Sequence, residues 1–202
     1  MNDIPEKQIR AVHDAQTIRV YQAYSHAIAD TALAEGRFVS PPFKMDRMTW
    51  IKPSFLWMMY RAGWGFKDAG QSRILAIDIT REGFAWALEH SCPSHPDPSM
   101  SKEEWAWVKA ASPVRIQWDP ERDLHLQPLA HRSIQIGVHG DAVRRYVDDW
   151  IVRITDVTGL AKTIVSHVEN GELAKAEELL PEERPYDAGS AMGTVSQVTT
   201  RT

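Results

Sequence analysis

The stretch Arg47-Met-Thr-Trp-Ile-Lys-Pro-Ser-Phe-Leu-Trp-Met-Met-Tyr-Arg-Ala-Gly-Trp-Gly65 combines two kinds of side chain that seldom serve one purpose. It contains three tryptophans, three methionines, a tyrosine, two arginines and a lysine. Large aromatic side chains bury much area and also stack on flat ligands, whereas fixed cations bind phosphate or carboxylate groups. A helix that served only as core would need the aromatic residues and not the cations. The stretch therefore predicts one wall of a binding site.

The second half of this stretch is predicted to be a helix that runs through Tyr60. Pro53 suits the first turn of a helix, and Gly63 can end one. Apolar residues recur between them at helical spacing and would form a buried stripe: Phe55, Met58, Met59 and Ala62.

Two interpretations of the stretch stay open. In the functional one, the cations hold phosphate groups, one aromatic residue stacks on a base, and hydroxyl groups near the helix start add anion-binding donors. These roles would fall to Arg47, Lys52 and Arg61 for the phosphates, Trp50 or Tyr60 for stacking, and Thr49 and Ser54 for the hydroxyl groups. In the other, the aromatic residues are core and the cations are solvated or paired with acids.

Hydrophobic patterns outside this stretch predict both strands and helices. Strands are predicted at residues 17–24, 73–79, 113–118 and 131–138, and helices at 25–36, 81–90, 141–154, 160–168 and 172–180, with a short helix after the capping box at Ser101. Residues 91–99 are predicted as a loop and 119–122 as a charged turn. This order predicts one α+β domain over residues 1–180, with a mixed or antiparallel sheet flanked by helices. Residues 181–202 are polar, small and proline-bearing, which predicts a disordered tail.

Two further motifs place polar side chains on predicted strands. In Arg115-Ile-Gln-Trp-Asp-Pro-Glu-Arg122, alternation puts Arg115 and Gln117 on one face, and a carboxylate at the strand end is a common catalytic arrangement. In Arg132-Ser-Ile-Gln-Ile-Gly137, Gln135 would share a polar wall with Gln117. The alternative for the first motif is a salt-bridged turn, and the alternative for the second is a half-exposed strand without a functional role. The candidate residues are Arg115, Gln117, Asp119, Glu121, Arg122, Arg132 and Gln135.

The composition of the chain limits its function classes. With 202 residues, 43% of them hydrophobic, the length favours one domain with a real core. The formal charge of −4 gives no global field that would draw the chain to nucleic acid or membrane. Cys92 is the only cysteine, and neither a signal peptide nor a spanning segment is recognised, so we expect a cytoplasmic protein without a membrane partner. No metal is expected, because His90, Cys92 and His95 lack a fourth zinc ligand.

Four motifs resemble one protein family, domain of unknown function 4291. They are Val20-Tyr-Gln-Ala-Tyr24, Arg47 to Arg61, Val114 to Arg122 and Arg132 to Gly137. The likeness covers about residues 5 to 180, and its long match from Arg47 to Trp64 is highly specific. The family is found in bacteria and fungi, and its name assigns no activity.

A tyrosine-rich strand followed by a helix that closes in Gly-Arg-Phe also resembles the opening of the ADP-ribosyltransferase fold. That likeness implies NAD as cofactor, with Gln22 or Arg19 at the NAD ribose and Tyr60 or Trp50 stacking. It implies Glu121 or Gln135 near the reacting carbon, where a carboxylate would steady a developing oxocarbenium charge. Gln22 stands where the family has His or Arg, and there is no Gln-x-Glu pair.

The leading hypothesis is therefore a protein that binds a nucleotide-like small molecule such as NAD, as an ADP-ribosyltransferase-like transferase. Glu121, Gln117 and Gln135 are its catalytic candidates, and Tyr21 and Gln22 of the first strand join the ligand-binding set. One alternative is a non-catalytic module that binds single-stranded nucleic acid through interleaved aromatic residues and cations. Another is a protein-interaction domain that uses exposed tryptophans such as Trp105 and Trp107. The oligomeric state is not predicted.

Overall fold

A computed structural model describes residues 4–96 and 100–189 of the chain. The strands are β1 (Arg10–Ala11), β2 (Thr17–Tyr24), β3 (Thr49–Ile51), β4 (Arg73–Thr80), β5 (Ser91–Pro93), β6 (Val114–Arg122), β7 (Pro128–Val138), β8 (Ile151–Asp156) and β9 (Arg184–Pro185). The α-helices are α1 (His26–Glu35), α2 (Phe55–Ala62), α3 (Arg81–Glu89), α4 (Lys102–Ala111), α5 (Asp141–Arg145), α6 (Thr158–Glu169) and α7 (Leu173–Glu178). None of the helices in this described part has the length and apolar character needed to span a bilayer.

The larger strands form two sheets. One has the order β2-β4-β8 and is antiparallel throughout. The other has the order β3-β7-β6-β5, in which only the pair of β5 and β6 is parallel. The sheets are flanked by helices, so the predicted α+β class with mixed or antiparallel sheet is confirmed.

The two sheets meet at one backbone contact. An antiparallel bridge joins Tyr21 of β2 to Lys52, the residue after β3. The backbone N–H of Tyr21 donates to the carbonyl oxygen of Lys52 over 2.7 Å. This hydrogen bond sets the end of β3 beside the middle of β2.

The strands β2 and β4 are buried on both faces. Ile18 and Val20 belong to one apolar cluster, whereas Tyr21 belongs to a second cluster with residues of α2, α6 and α7. Alternate residues of β4 divide in the same way, with Ile77 in the first cluster and Ala76 in the second. Burying one large aliphatic side chain contributes roughly 1.5–3 kcal/mol, so the β2-β4 pair is held from both sides.

Local sequence signals placed several element ends correctly. Gly36 and Gly63 adopt left-handed φ values of 68° and 55° after α1 and α2, a conformation that glycine adopts without steric cost. Ser101 and Glu104 form the predicted capping box at the start of α4. The N-cap of α2 is Ser54, whose hydroxyl accepts from the N–H of Trp57 over 3.0 Å, so Pro53, which was expected in the first turn, lies just before the helix.

Three assignments from the sequence were wrong. The predicted helix 141–154 forms α5 and a π-helical turn at Tyr146–Trp150. Ile151–Asp156 is instead strand β8, because β4 provides a partner: Arg153 lies opposite Asp78 and donates to its Oδ2 over 2.6 Å. The predicted turn 119–122 instead continues β6, with a bulge between Pro120 and Arg122 that accommodates the proline. Part of the predicted loop 91–99 is strand β5, and residues 97–99 lie outside the described residues. Long-range pairing decided each case.

The C-terminal segment up to residue 189 packs on the domain, although the sequence places it in a disordered tail. Strand β9 pairs with β1, and Tyr186 is 8% exposed with its ring 5.5 Å from that of Phe84. The Oε1 atom of Glu183 accepts a hydrogen bond of 2.7 Å from the N–H of Phe55, at the start of α2. The predicted tail beyond residue 189 lies outside the described residues.

We predict that Glu183→Gln raises stability above neutral pH. Burial, with the nearby charge of Glu121, raises the pKa of Glu183 to about 8 from an ordinary 4.5. Between these values the folded protein keeps a proton that the unfolded chain has lost, so stability from this group is full below pH 4.5 and declines as pH rises through 8. The glutamine keeps the acceptor and cannot ionise. Thermal denaturation should show a gain on the order of 1 kcal/mol at about pH 9 and none at about pH 4.

The matched control is Glu182→Gln, which removes an exposed carboxylate one residue away. It should leave the pH dependence of the melting temperature unchanged. If Glu183→Gln and wild type unfold with the same pH dependence, the folded protein does not raise the pKa of Glu183, and the prediction is wrong.

Candidate functional site

A cavity of about 620 Å³ opens where the two sheets meet. Its wall comes from the end of β2, the start of α1, the loop before β3, the residues of β3 and α2, and the facing strands β6 and β7. The lining residues are Gln22, Ala23, Tyr24, Ser25, Ile28, Pro42, Phe43, Lys44, Arg47, Met48, Thr49, Trp50, Lys52, Met58, Arg61, Gly70, Gln71, Gln117 and Gln135.

The charge of this lining has one sign. Four lining side chains are cations, and no lining residue is an acid. Lys44, Arg47 and Arg61 are exposed, and we call them the rim cations. Lys52 is 5% exposed and forms part of the floor. Within residues 4–96 and 100–189, none of the four lies in an ion pair. The cavity therefore carries a concentrated positive charge that no acid of its lining balances.

Lys52 is held with little compensation for its charge. Its Nζ is 3.4 Å from the carbonyl oxygen of Trp50 and 5.6 Å from the ring of Trp57. Burial and the charge of Arg61 lower the pKa of the Lys52 amine to about 7, with a partial offset from Asp119. A lysine in water has a pKa near 10.4, so the surroundings of Lys52 destabilise its charged form.

Asp119 fixes the two amides on the opposite wall. Its Oδ1 accepts from Nε2 of Gln117 over 2.8 Å, and its Oδ2 accepts from Nε2 of Gln135 over 2.7 Å. The carbonyl oxygen of Gln117 accepts from Ser94 over 3.2 Å. With both amino groups turned to Asp119, the carbonyl oxygen of Gln135 is left as an acceptor for a ligand donor. The register supports this wall, because Gln117 and Gln135 are direct partners in β6 and β7.

Trp50 owes its position to a glycine on the neighbouring strand. Trp50 and Gly137 are partners in the pair β3-β7. A Cβ atom at Gly137 would lie 2.9 Å from Cε2 of Trp50 and 2.9 Å from Sδ of Met48. The indole therefore rests against the backbone of β7, which only the missing side chain permits, while Trp50 also lines the cavity.

Gln22 lines the cavity with both polar atoms of its amide hydrogen-bonded to the protein. Its Nε2 donates to the carbonyl oxygen of Trp50 over 3.1 Å, and its Oε1 accepts from the hydroxyl of Tyr146 over 2.7 Å. Gln22 thus ties β2 to β3 beside Lys52. This arrangement gives it a positioning role within the wall.

The predicted residues divide into two groups. Eight of them line the cavity together: Gln22, Arg47, Thr49, Trp50, Lys52, Arg61, Gln117 and Gln135. Asp119 stands directly behind the two amides. The sequence had placed Arg47 to Arg61 on one wall and Gln117 with Gln135 on another, and the structure brings these walls to one cavity.

The other predicted residues lie outside the lining. Tyr21 is 1% exposed and packs edge-on against Phe55, 5.4 Å between ring centres. Tyr60 is 42% exposed and carries the guanidinium of Arg122 at 3.6 Å from its ring centre. Tyr21 lies in the second apolar cluster and Tyr60 lies on the outer surface of α2. Neither aromatic ring is therefore placed to stack on a ligand in this cavity.

The remaining charged candidates are engaged in structural bonds. Oε1 of Glu121 accepts from the hydroxyl of Ser54 over 2.9 Å. The guanidinium of Arg115, 5% exposed, donates to the carbonyl oxygen of Val114 over 3.1 Å and to the carbonyl oxygens of Ser112 and Lys109. Arg132 donates to the carbonyl oxygen of Trp118 over 3.1 Å and pairs with Glu6. Their partners therefore explain why these charged side chains occur on the strands.

Sequence reasoning missed the part of the wall that precedes Arg47. Pro42, Phe43 and Lys44 line the cavity from the loop before β3. Lys44 lies three residues before Arg47, so a second cation beside the motif was a readable signal. The contributions of Gln71 and Ser25 had no signal, because only the tertiary fold brings them to the cavity.

Comparison with known proteins identifies a family for this chain but assigns it no chemical activity. A family model described as "Domain of unknown function (DUF4291)" matches residues 8–186. No curated protein and no solved structure matches the chain. The family resemblance read from the four motifs is confirmed, and the likeness to ADP-ribosyltransferases gains no support.

We predict that Lys52→Met stabilises the fold. Methionine has similar length and needs no partner, so the substitution removes a buried amine that lacks an acid. Because the folded pKa of about 7 lies below 10.5, the cost of Lys52 is greatest below pH 7 and disappears as pH rises toward 10.5. Chemical denaturation near pH 6 should show a gain of about 1–3 kcal/mol that shrinks near pH 10.

Lys67→Met is the control, because Lys67 is exposed. It should change the free energy of unfolding little at either pH. A loss of stability in Lys52→Met would mean that the amine makes stronger bonds than its single long contact, and would refute this account of the floor.

Proposed function

Because the chain belongs to the family described as "Domain of unknown function (DUF4291)", whose name assigns no activity, we propose a function from the cavity itself. The protein binds a phosphate-bearing, nucleotide-like small molecule, for which NAD is the first compound to test. The observation that carries the proposal is the lining of three exposed cations, one buried lysine and no acid beside Trp50. Guanidinium groups bind phosphate oxygens bidentately, and an indole stacks on a base.

The size of the cavity favours a small molecule. Ligand pockets usually measure roughly 300–1,000 Å³, and this one measures about 620 Å³. The whole chain has a formal charge of −4, so no global basic field would hold a long polyanion against the protein outside the pocket. A nucleotide-sized anion therefore fits better than a single strand of nucleic acid.

The lining offers a distinct contact for each part of such a ligand. The rim guanidinium groups of Arg47 and Arg61 face a phosphate or pyrophosphate. The indole of Trp50 gives an apolar surface for a base or a nicotinamide ring. The carbonyl oxygen of Gln135, held by Asp119, accepts from an exocyclic amino or carboxamide N–H group.

ADP-ribosyltransferase-like chemistry remains a prediction beyond binding. Such a transfer needs negative charge near the ribose carbon as the nicotinamide leaves. Glu121 is bonded to Ser54, and Asp119 stands behind Gln117 and Gln135. Binding is therefore the function that the geometry supports best, with transfer from NAD to be assayed separately by nicotinamide release.

The binding prediction is tested by calorimetric titration with NAD, ADP-ribose, ATP and inorganic phosphate. We expect saturable binding of a nucleotide, and Arg47→Ala and Arg61→Ala should each weaken it about tenfold, or about 1.4 kcal/mol, because each removes a charge-assisted hydrogen bond. Arg144→Ala, which changes an exposed arginine outside the lining, should bind as wild type does.

Two outcomes would contradict the proposal. If all three alanine variants bind the nucleotide as tightly as wild type does, the ligand binds outside this cavity. Tight, salt-sensitive binding of short single-stranded RNA or DNA with no response to nucleotides would favour the nucleic-acid alternative.

A further inference from the structure

The floor of the cavity contains a second chemical feature, which goes further than anion binding. Lys44 and Lys52 both line the cavity, and they differ in their exposure to solvent. Lys44 is exposed to solvent at the rim. Lys52 is 5% exposed, lies among buried residues, and has one long hydrogen bond to a backbone carbonyl. Its amine is therefore available to a ligand inside the cavity.

We propose that Lys52 is a nucleophile that forms an imine with an aldehyde or ketone carbonyl of a phosphate-bearing ligand. This inference rests on the proposed function, because the rim cations Arg47 and Arg61 would hold the phosphate of the same ligand. It adds a reacting group and a substrate class, namely carbonyl compounds that carry phosphate.

The position of Lys52 matches the requirements of such a nucleophile. Amines become reactive when they are desolvated or placed next to another cation, and Lys52 has both features: it is buried, and the charge of Arg61 acts on it. With a pKa of about 7, about half of the Lys52 amines are neutral at neutral pH. A lysine that only held phosphate would gain from remaining charged.

The reaction balances without a further reagent. The neutral amine of Lys52 attacks the carbonyl carbon, and one proton passes from nitrogen to the carbonyl oxygen to give a neutral carbinolamine. The carbon–oxygen bond then breaks, the oxygen leaves as water with the second amine proton, and nitrogen and carbon are joined by a double bond. The net change is amine plus carbonyl to imine plus water, so no oxidant or reductant is consumed.

The opposite wall supports the charged product. An imine of lysine is readily protonated and then carries a positive charge. The carboxylate of Asp119 acts on Lys52 through space, while both of its oxygens stay bonded to the amides of Gln117 and Gln135. Asp119 thus offsets part of the charge at Lys52 without being a direct partner of the amine, which leaves the nitrogen free to react.

Pyridoxal 5′-phosphate is the probe for this proposal, because it joins an aldehyde, an aromatic ring and a phosphate in one small molecule. The full-length protein is incubated with a limiting amount of the probe, reduced with sodium borohydride, digested and analysed by mass spectrometry. We expect the reduced adduct on Lys52 at least tenfold in excess over that on Lys44 or Lys67. The rate of labelling should rise between about pH 6 and 8, since only the neutral amine attacks.

Matched variants separate the reacting group from the phosphate site. Lys52→Arg keeps the charge and cannot form the imine, so its labelling should fall to the level of surface lysines, whereas Lys67→Arg should label as wild type does. Arg47→Ala should reduce labelling by pyridoxal 5′-phosphate about tenfold and reduce labelling by pyridoxal, which lacks the phosphate, much less.

Failure of this proposal is distinguishable from failure of the proposed function. If the probe binds with sensitivity to Arg47→Ala but labels Lys52 no faster than Lys67, the anion site stands and the imine proposal is overturned. If Lys52 is labelled selectively, equally by pyridoxal and by its phosphate, the nucleophile stands and the phosphate site is wrong. If all lysines are labelled to the same extent, the imine proposal is overturned.

Discussion

The backbone hydrogen bond from Tyr21 to Lys52 is the constraint on which the site depends. It joins the sheet β2-β4-β8 to the sheet β3-β7-β6-β5 at the point where β3 ends. Because Tyr21 faces the second apolar cluster, its neighbour Gln22 faces the other side, where it lines the cavity. On the other strand, Lys52 is followed at once by Pro53 and by Ser54, the N-cap of α2. One junction therefore fixes the floor lysine, the amide beside it and the helix that carries Arg61.

Within the described residues, the cations of the cavity lie in no ion pair although acids lie nearby. On the sheet β2-β4-β8, by contrast, the half-buried Arg19 pairs with Asp78 at 2.7 Å, and the exposed Arg153 pairs with the same carboxylate at 2.6 Å. Glu121 and Asp119 lie near the cavity, yet a hydroxyl holds the first and two amides hold the second. A fold selected only for stability would pair a buried lysine or replace it. The local conflict with stability at Lys52 is what is expected of a functional site.

Much of the fold and part of the site followed from local sequence pattern. Strand β2, helix α2 with its glycine end, and the capping box of α4 depend on residues close in sequence, so periodicity and end signals predict them. β8 could not be predicted in this way, because its helix-like apolar spacing is overridden by pairing with β4. The cavity shows the same division: Arg47 to Arg61 was readable as one wall, and the pairing of Gln117 with Gln135 followed from adjacent strands. The exclusion of Tyr60 and Glu121 depended on contacts with Arg122 and Ser54, which no spacing rule reveals.

The electrostatics of the empty and the filled cavity are linked through Lys52. Without an anion, burial and Arg61 favour the neutral amine. A phosphate bound at the rim adds negative charge near Arg61, so it weakens the repulsion on Lys52 and raises the pKa of its amine. By linkage, protonation of Lys52 must then strengthen phosphate binding by the same factor. Phosphate binding thus favours the charged amine, whereas attack on a carbonyl needs the neutral amine. A ligand with both groups satisfies both requirements, because the amine reacts in its neutral form and the protonated imine then keeps a positive charge at the floor. The cavity thus suits a ligand that supplies its own negative charge at the rim and an electrophile at the floor.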